Sequence, residues 1–216
     1  MAAGAASPRE RYRSQVREEI KARAWQQIAT AGASGLSLNA IAKEMGMSGP
    51  ALYRYFAGRD ELITELIRDA YRGLADTIRA AVDSGSGLTG LAHAMRGWAL
   101  EDPQRYFLIY GTPVPGYHAP DDITSIAREI MAALLEVCAA TWTRTSAADP
   151  FDAHLADHRQ WVEGHPGPPA VLHRALSFWT RLHGVLSLEL AGHFTGMGFD
   201  PALLFAAEAD DLAAEH

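Results

Sequence analysis

The stretch that decides the fold is Ser37–Leu62, SLNAIAKEMGMSGPALYRYFAGRDEL. Ser37 suits an N-cap, because its hydroxyl can satisfy a free amide in a first helical turn. Leu38, Ile41, Ala42 and Met45 then recur at helical spacing. Gly46 tolerates the left-handed conformation that ends a helix. Ser48 is a second N-cap, and Pro50 falls in the first turn of the next helix, where its missing N–H costs nothing. The spacing predicts that second helix over 49–56. Two short helices across a tight turn are the layout of a DNA-binding helix-turn-helix, with the second helix in the major groove. The inner positions Ile41, Ala42, Met45, Met47, Leu52 and Phe56 are apolar. The outer ones, Asn39, Lys43, Ser48, Gly49, Ala51, Tyr53, Arg54 and Tyr55, are polar, tiny or hydroxylated, which suits phosphates and base edges. An ordinary helical hairpin with a solvated polar face has the same spacing.

Outward from this stretch, 59–83 reads as one long helix with Leu62, Ile63, Leu66, Ile67, Ala70, Leu74 and Ile78 inward. It would span roughly 37 Å, enough to belong to a head and a body at once. On the other side, residues 10–31 read as a helix with Val16, Ile20, Ala24, Trp25 and Ile28 inward and Gly32 as its C-terminal cap. Arg9, Arg11, Arg13 and Arg17 precede or open it. They form either an arm toward phosphates or the minor groove, or a solvated basic end. Residues 1–8, rich in Ala, Gly and Pro, read as disordered.

Beyond the Asp83–Gly87 linker, helices are expected over 88–100, 123–143, 170–191 and 201–214. Asp121 or Asp122 is the expected cap of the second of these. PQRYFLIYG is a short aromatic segment, and Pro113 and Pro115 bar a helix over 111–116. A short helix around 152–162 is expected inside a segment too long to be structureless. The inner face of 170–191 reads Leu172, Ala175, Leu176, Trp179, Leu182, His183, Leu186 and Leu190. No strand-like alternation or repeat occurs, so the fold class is all-α.

The 216 residues carry a net charge of −7, which at first argues against nucleic acid. The distribution reverses this: residues 1–60 hold 9 basic and 5 acidic side chains, the remainder 10 and 21. A basic head on an acidic body fits a nucleic-acid contact confined to one end. No apolar run is long enough for a membrane span, and the N-terminus lacks a signal-peptide core. The single Cys138 leaves no internal disulfide and suits a reducing cytoplasm.

The run MS-x-x-ALY-x-YF-x-x-RDEL, with LSLNAIAKEMG before it, resembles the N-terminal domain of the tetracycline-repressor (TetR) family of bacterial regulators. PVPGYHAPDD and the W-x-x-x-HG of FWTRLHGVLSLEL resemble one ligand-binding subtype of that family. The resemblance implies a helix-turn-helix domain over 9–58 and an effector-binding and dimerisation domain over 59–216, bridged by the 59–83 helix. It implies double-stranded operator DNA as partner, contacted by Ser37, Asn39, Lys43, Ser48, Gly49, Ala51, Tyr53, Arg54, Tyr55 and Arg59. Tyr53 and Tyr55 match backbone-touching positions, and Arg59 a phosphate-contacting one. Many relatives carry larger polar readers where this chain has Gly49 and Ala51, so base readout falls to Ser48, Arg54 and methyl contact with thymine.

The same resemblance implies a small-molecule pocket, with Met95, Trp98, Tyr106, Phe107, Tyr110, Trp142, Trp179 and His183 as candidate lining. Such a lining suits a lipophilic or aromatic effector, although aromatics at helical spacing are also ordinary core. A homodimer through 170–191 and 201–214 would let two heads read two half-sites. Effector binding would then release a repressor from its operator. His154 and His158, with Asp157 beside them, are a weak metal signal, and no metal or cofactor is expected. Ser177, Ser187 and Glu189 near His183 make no triad, and no catalytic motif is present. The expectation is therefore a non-enzyme. The rival is a helical adaptor or small enzyme using the head for a protein partner.

Overall fold

The computed structural model describes residues 7–112, 117, 119–142, 149–162 and 164–214. The described residues form ten α-helices: α1 (Pro8–Ala31), α2 (Leu38–Glu44), α3 (Gly49–Leu52), α4 (Arg59–Asp83), α5 (Gly87–Glu101), α6 (Pro103–Tyr110), α7 (Asp121–Ala140), α8 (Pro150–Asp157), α9 (Pro169–Leu190) and α10 (Pro201–Ala214). Two 3-10 turns, Ala33–Gly35 and Gln160–Val162, accompany them, and no strand occurs among the described residues. The fold is all-α, a helix-turn-helix head followed by a helical body. None of the described helices is long and apolar enough to cross a membrane.

Contacts divide the chain into two compact units. The first, Met1–Ala70 with Gln104–Ala119, contains α1–α3, the first half of α4 and nearly all of α6. The second, Tyr71–Pro103 with Pro120–His216, contains the rest of α4, α5 and α7–α10. The division falls inside α4, which contributes to both.

In the first unit, α1 starts earlier than the apolar spacing suggests. Ser7 and Glu10 form a reciprocal capping box: the Glu10 N–H donates to Ser7 Oγ at 3.3 Å, and the Ser7 N–H to Glu10 Oε2 at 2.7 Å. With Pro8 at the first helical position, the basic N-terminal stretch is already helix at Arg9. Val16, Ile20, Ala24 and Ile28 are buried four apart, and Trp25, one position off that row, is only half-buried. Leu38, Ile41, Ala42, Leu52, Phe56, Leu62, Ile63 and Leu66 complete the core of this unit. Met45 and Met47, expected inside, are half-exposed. Gly46, at φ +65°, makes the turn between α2 and α3.

The recognition helix is shorter than expected. After Leu52 the Arg54 N–H donates to Ala51 O and the Tyr55 N–H to Leu52 O, both three residues back. Gly49 and Pro50 add little helix propensity, and the complete burial of Phe56 turns the chain inward.

In the second unit, Pro120 is the residue before α7, while Asp121 and Asp122 both lie in its first turn. There their carboxylates face the positive end of the helix dipole. Neither is the cap that the sequence suggests. The helix ends at Ala140 and leaves Trp142 outside it. Residues 113–116 lie outside the described residues, as do 143–148. The short helix expected over 152–162 is α8, begun by Asp149, which accepts the Phe151 N–H at 2.6 Å, and followed by a 3-10 turn. On α9 the buried face is Val171, Leu172, Arg174, Ala175, Phe178, Leu182 and Leu186. Leu176, Trp179, His183 and Leu190 sit beside that face and are partly accessible. Two ion pairs, Arg72–Glu129 at 2.7 Å and Arg79–Glu136 at 2.9 Å, join α4 to α7 one heptad apart.

Candidate nucleic-acid interface

All ten residues expected at DNA are accessible in the first unit. Ser37, Asn39, Lys43, Ser48, Tyr53 and Arg54 are exposed, and Gly49, Ala51, Tyr55 and Arg59 are half-exposed. The turn at Gly46 and the buried apolar residues Ile41 and Leu52 fix α2 and α3 from inside. The polar side chains are thereby left outside. A Cβ built on Gly49 would stand 3.7 Å from Asn39 Oδ1, so these two positions form one continuous surface. Ser37 doubles as a cap, accepting the Ala40 N–H at 3.3 Å, and its own N–H donates to Gln27 Oε1 at 2.9 Å. Ser48 occupies the N-cap position of α3 without making a side-chain cap bond, which leaves its hydroxyl available.

The arginines around α3 divide into two kinds. Arg13 donates to the Arg54 carbonyl at 3.2 Å, and Arg17 donates to the Tyr55 carbonyl. Both bonds reach carbonyls at the end of the recognition segment, the natural place for a cation. Arg17 also lies 4.1 Å above the Phe56 ring and faces Glu61 at 3.9 Å and Glu65 at 3.5 Å. It is a brace rather than part of an arm reaching outward. Arg59 donates to the Ala33 carbonyl at 2.7 Å and lies 3.8 Å from Asp60, which ties the start of α4 to the first 3-10 turn. Glu61 accepts the Ala57 N–H at 2.5 Å, fastening the same corner. The bonds of Arg13, Arg17 and Arg59 are long-range pairings that sequence spacing does not reveal.

The residues expected to line an effector pocket fall in both units. Tyr106, Phe107 and Tyr110 belong to α6 in the first, with the Tyr106 ring 5.8 Å from Phe107 and 5.3 Å from Tyr110. Met95, Trp98, Trp142, Trp179 and His183 belong to the second. Met95 and Trp98 are buried core residues of α5. The Trp98 indole N–H is buried with no hydrogen-bond partner among the described residues. A Cβ built on Gly73 of α4 would lie 3.3 Å from that nitrogen. The Trp179 and His183 rings lie 4.2 Å apart, tilted by 59°. His183 is partly accessible as a residue, yet its Nε2 is shielded from water, and burial lowers its pKa to about 4. It is therefore neutral at pH 7. Burial also pushes the Cys138 thiol up to about 12, against the Arg174 charge nearby, so it stays protonated at pH 7.

The histidine pair is not arranged as a chelate. His154 and His158 stack at 4.0 Å and 18°, so their in-plane lone pairs run side by side instead of converging. His158 Nδ1 meets the His154 carbonyl at 2.8 Å. Asp149, Asp152 and His173 do bring ligand atoms within 4.8 Å of one another. These groups are already engaged, since Asp149 caps α8 and the 2.8 Å contact of Asp152 with His173 Nδ1 fastens α8 to α9.

Sequence spacing missed Arg174. It is a charged residue in the core, and it donates to Thr141 Oγ1 at 3.0 Å, Leu212 O at 3.4 Å and Ala213 O at 3.2 Å. It thereby joins the C-terminal ends of α7 and α10. Its two neighbours on the helix row, Val171 and Phe178, are apolar, and nothing in the local pattern marks it as buried.

Comparison with known proteins agrees with this geometry. The family model for bacterial regulatory proteins of the tetR family matches residues 20–66, and that for the tetracyclin repressor-like C-terminal domain matches residues 88–212. The chain is 38% identical over 221 residues to the HTH-type transcriptional regulator Rv1816 of Mycobacterium tuberculosis (strain ATCC 25618 / H37Rv), covering 94% of each chain. It is similar to the crystal structure of the protein SCO4313, at 72% identity and a TM-score of 0.88, over 95% of this chain and 98% of the other. A protein of unknown function from Rhodococcus sp. RHA1 shares the fold, at 22% identity and a TM-score of 0.66, over 92% and 93% of the two chains. Regulators of this family are not enzymes, and an accessible helix-turn-helix surface on an all-α frame fits that kind. The chain belongs to the TetR family of HTH-type, DNA-binding transcriptional regulators.

Proposed function

We propose that the protein is a repressor that binds its operator as a homodimer and is released by a lipophilic or aromatic small molecule. The observation that carries the release step is the buried Trp98 indole N–H. A buried donor without a partner costs on the order of 1–3 kcal/mol, and an acceptor on an effector would remove that cost. The nitrogen lies against Gly73 of α4, the helix that contributes to both units. An effector seated there would bear on α4 and through it on the head. The neutral His183 and the Trp179 ring add a polar point and an aromatic wall in the same unit, in keeping with the W-x-x-x-HG subtype. An effector acts only by binding the DNA-incompetent state better.

In this reading the DNA-binding domain is 9–58 and the effector and dimerisation domain 59–216, with the protein acting in the cytoplasm. Asn39 and Lys43 track the backbone beside α2. Ser37 adds a hydroxyl at the start of α2, Ser48, Ala51 and Arg54 read bases, with Gly49 allowing close approach, and Tyr53, Tyr55 and Arg59 take phosphates. For Arg59 this requires a guanidinium N–H beyond the one given to Ala33. Dimerisation through α9 and α10 is supported by a run of exposed apolar side chains: Leu188, Met197, Phe199 and Leu203, of which Leu203 is 71% exposed. Fluorescence anisotropy on the DNA flanking the gene tests the whole reading. Tight, competitor-resistant binding that is abolished by an effector supports it. If effector-loaded and free protein hold the operator equally well, the release model is wrong.

A further inference from the structure

Along one face of α1 the cations change occupation at Arg17. Lys21 is held by Asp69 and Glu18, both at 2.7 Å, and Arg17 faces Glu61 and Glu65. One and two turns earlier, Arg13 and Arg9 meet no carboxylate among the described residues, and neither does Arg54 at the end of the recognition segment. Ion pairs in this unit include those of Arg17, Lys21, Arg59 and Arg68. The nearest acid in sequence, Glu10, is engaged with Ser7. Arg9, Tyr12 and Arg13 share a helix face with spacings of three and four. With Met47, Ala51, Arg54 and Tyr55 they line a surface concavity of about 300 Å³. The capping box makes this edge rigid helix, and the Arg13 bond to the Arg54 carbonyl locks it to the recognition segment. Tyr12 stands 64% exposed at its rim.

We propose that this concavity is a second DNA contact, a seat for a backbone phosphate outside the base pairs that α3 faces. The guanidiniums of Arg9 and Arg13, which face no carboxylate among the described residues, and the phenol hydroxyls of Tyr12 and Tyr55 are the chemistry that recognises a phosphodiester. Because Ala51, Arg54 and Tyr55 line both the seat and the recognition surface, the occupant is the backbone of the same duplex. The seat extends the footprint of each head and supplies part of the affinity that Gly49 and Ala51 cannot provide through side-chain readout. The inference rests on the DNA-binding reading and goes beyond it in assigning a role to α1.

The test is anisotropy of full-length protein on a labelled duplex of random sequence across a salt series, which needs no knowledge of the operator. Each phosphate contact contributes a slope of about −0.9 in log K against log salt. Arg9→Ala should make the slope shallower by about one unit per bound head, and Arg9→Lys should restore it. Arg79→Ala, which removes an equal charge from the Glu136 pair of the body, should leave it unchanged. Circular dichroism checks that each variant keeps its helices. A wild-type slope in Arg9→Ala overturns the seat while leaving DNA binding intact. An equal loss in Arg79→Ala also overturns it, because the effect would then be one of net charge. If wild-type protein shows no salt-dependent DNA binding at all, the underlying reading fails with it.

Discussion

Arg72, Arg79, Arg96, Arg174 and Arg181 of the second unit are matched to acceptors, whereas Arg9, Arg13 and Arg54 of the first face no carboxylate among the described residues. Arg72, Arg79, Arg96 and Arg181 of the body each face a glutamate, at 2.5–2.9 Å, and Arg174 is sealed inside against three oxygen atoms. Arg9, Arg13 and Arg54 of the head face no carboxylate among the described residues. This contrast explains how a chain with a net charge of −7 can present a basic surface. Net charge counts residues, while a passing polyanion meets only the charge that neighbours have not already neutralised. In the body positive charge serves cohesion; in the head Arg17 and Lys21 do the same, while Arg9, Arg13 and Arg54 face no carboxylate among the described residues.

The largest effect that would break this contrast concerns Arg174. Replacing it with Met removes a buried cation and strands carbonyls at the end of α10. The expected loss is about 3 kcal/mol of unfolding free energy, read by urea denaturation, with no change in the DNA salt slope. A loss below about 1 kcal/mol would show that the body does not depend on its buried arginine.

His183 provides a pH test of the same unit. Its folded pKa of about 4 lies below the ordinary 6.5. Above pH 6.5 it is neutral in both folded and unfolded states and contributes no pH dependence. As pH falls from 6.5 toward 4, the unfolded chain takes up a proton that the folded state refuses, so stability falls. The difference amounts to about 3 kcal/mol at most. Denaturation at several pH values should show this decline in the wild type and a weaker one in His183→Gln. Parallel declines would remove His183 as the cause.

In the head, Gly46→Ala should cost about 1–2 kcal/mol, since a Cβ at φ +65° is strained, although it meets no neighbouring atom. Thermal melting measures it, and DNA affinity should fall with the loss of the α2–α3 turn. The smallest effect is expected at Arg79→Ala. Both partners of this pair are about half exposed, 47% and 60%, and such pairs contribute roughly 0–1 kcal/mol. A large loss there would mean that the α4–α7 pairs matter more to the body than solvent screening allows.

Much of the fold was legible in the residues. The bounds of α4 agree with its apolar row, and Ser37, Gly46 and Gly32 act where their chemistry suggests. Boundaries drifted where a cap or a buried side chain decided them. The Ser7–Glu10 box began α1 early, and burial of Phe56 cut α3 short. On α9 periodicity favoured Trp179 over Phe178, yet Phe178 is buried and Trp179 is only partly so. A shift of one residue rotates a side chain by about 100°, and only the neighbouring helices decide which side is inside.

The sequence by itself determined the helix-turn-helix surface, because cap chemistry, glycine conformation and helical period are local properties carried by adjacent residues. It also determined the charge contrast between head and body, which needs only counting. The tertiary structure alone decided which of those charges remain available. Arg17 and Arg9 are the same residue type eight positions apart on one helix face. What separates them is that Glu61 and Glu65, more than forty residues further along, fold against one and not the other. Pairing of that kind depends on distances in space that no local pattern encodes.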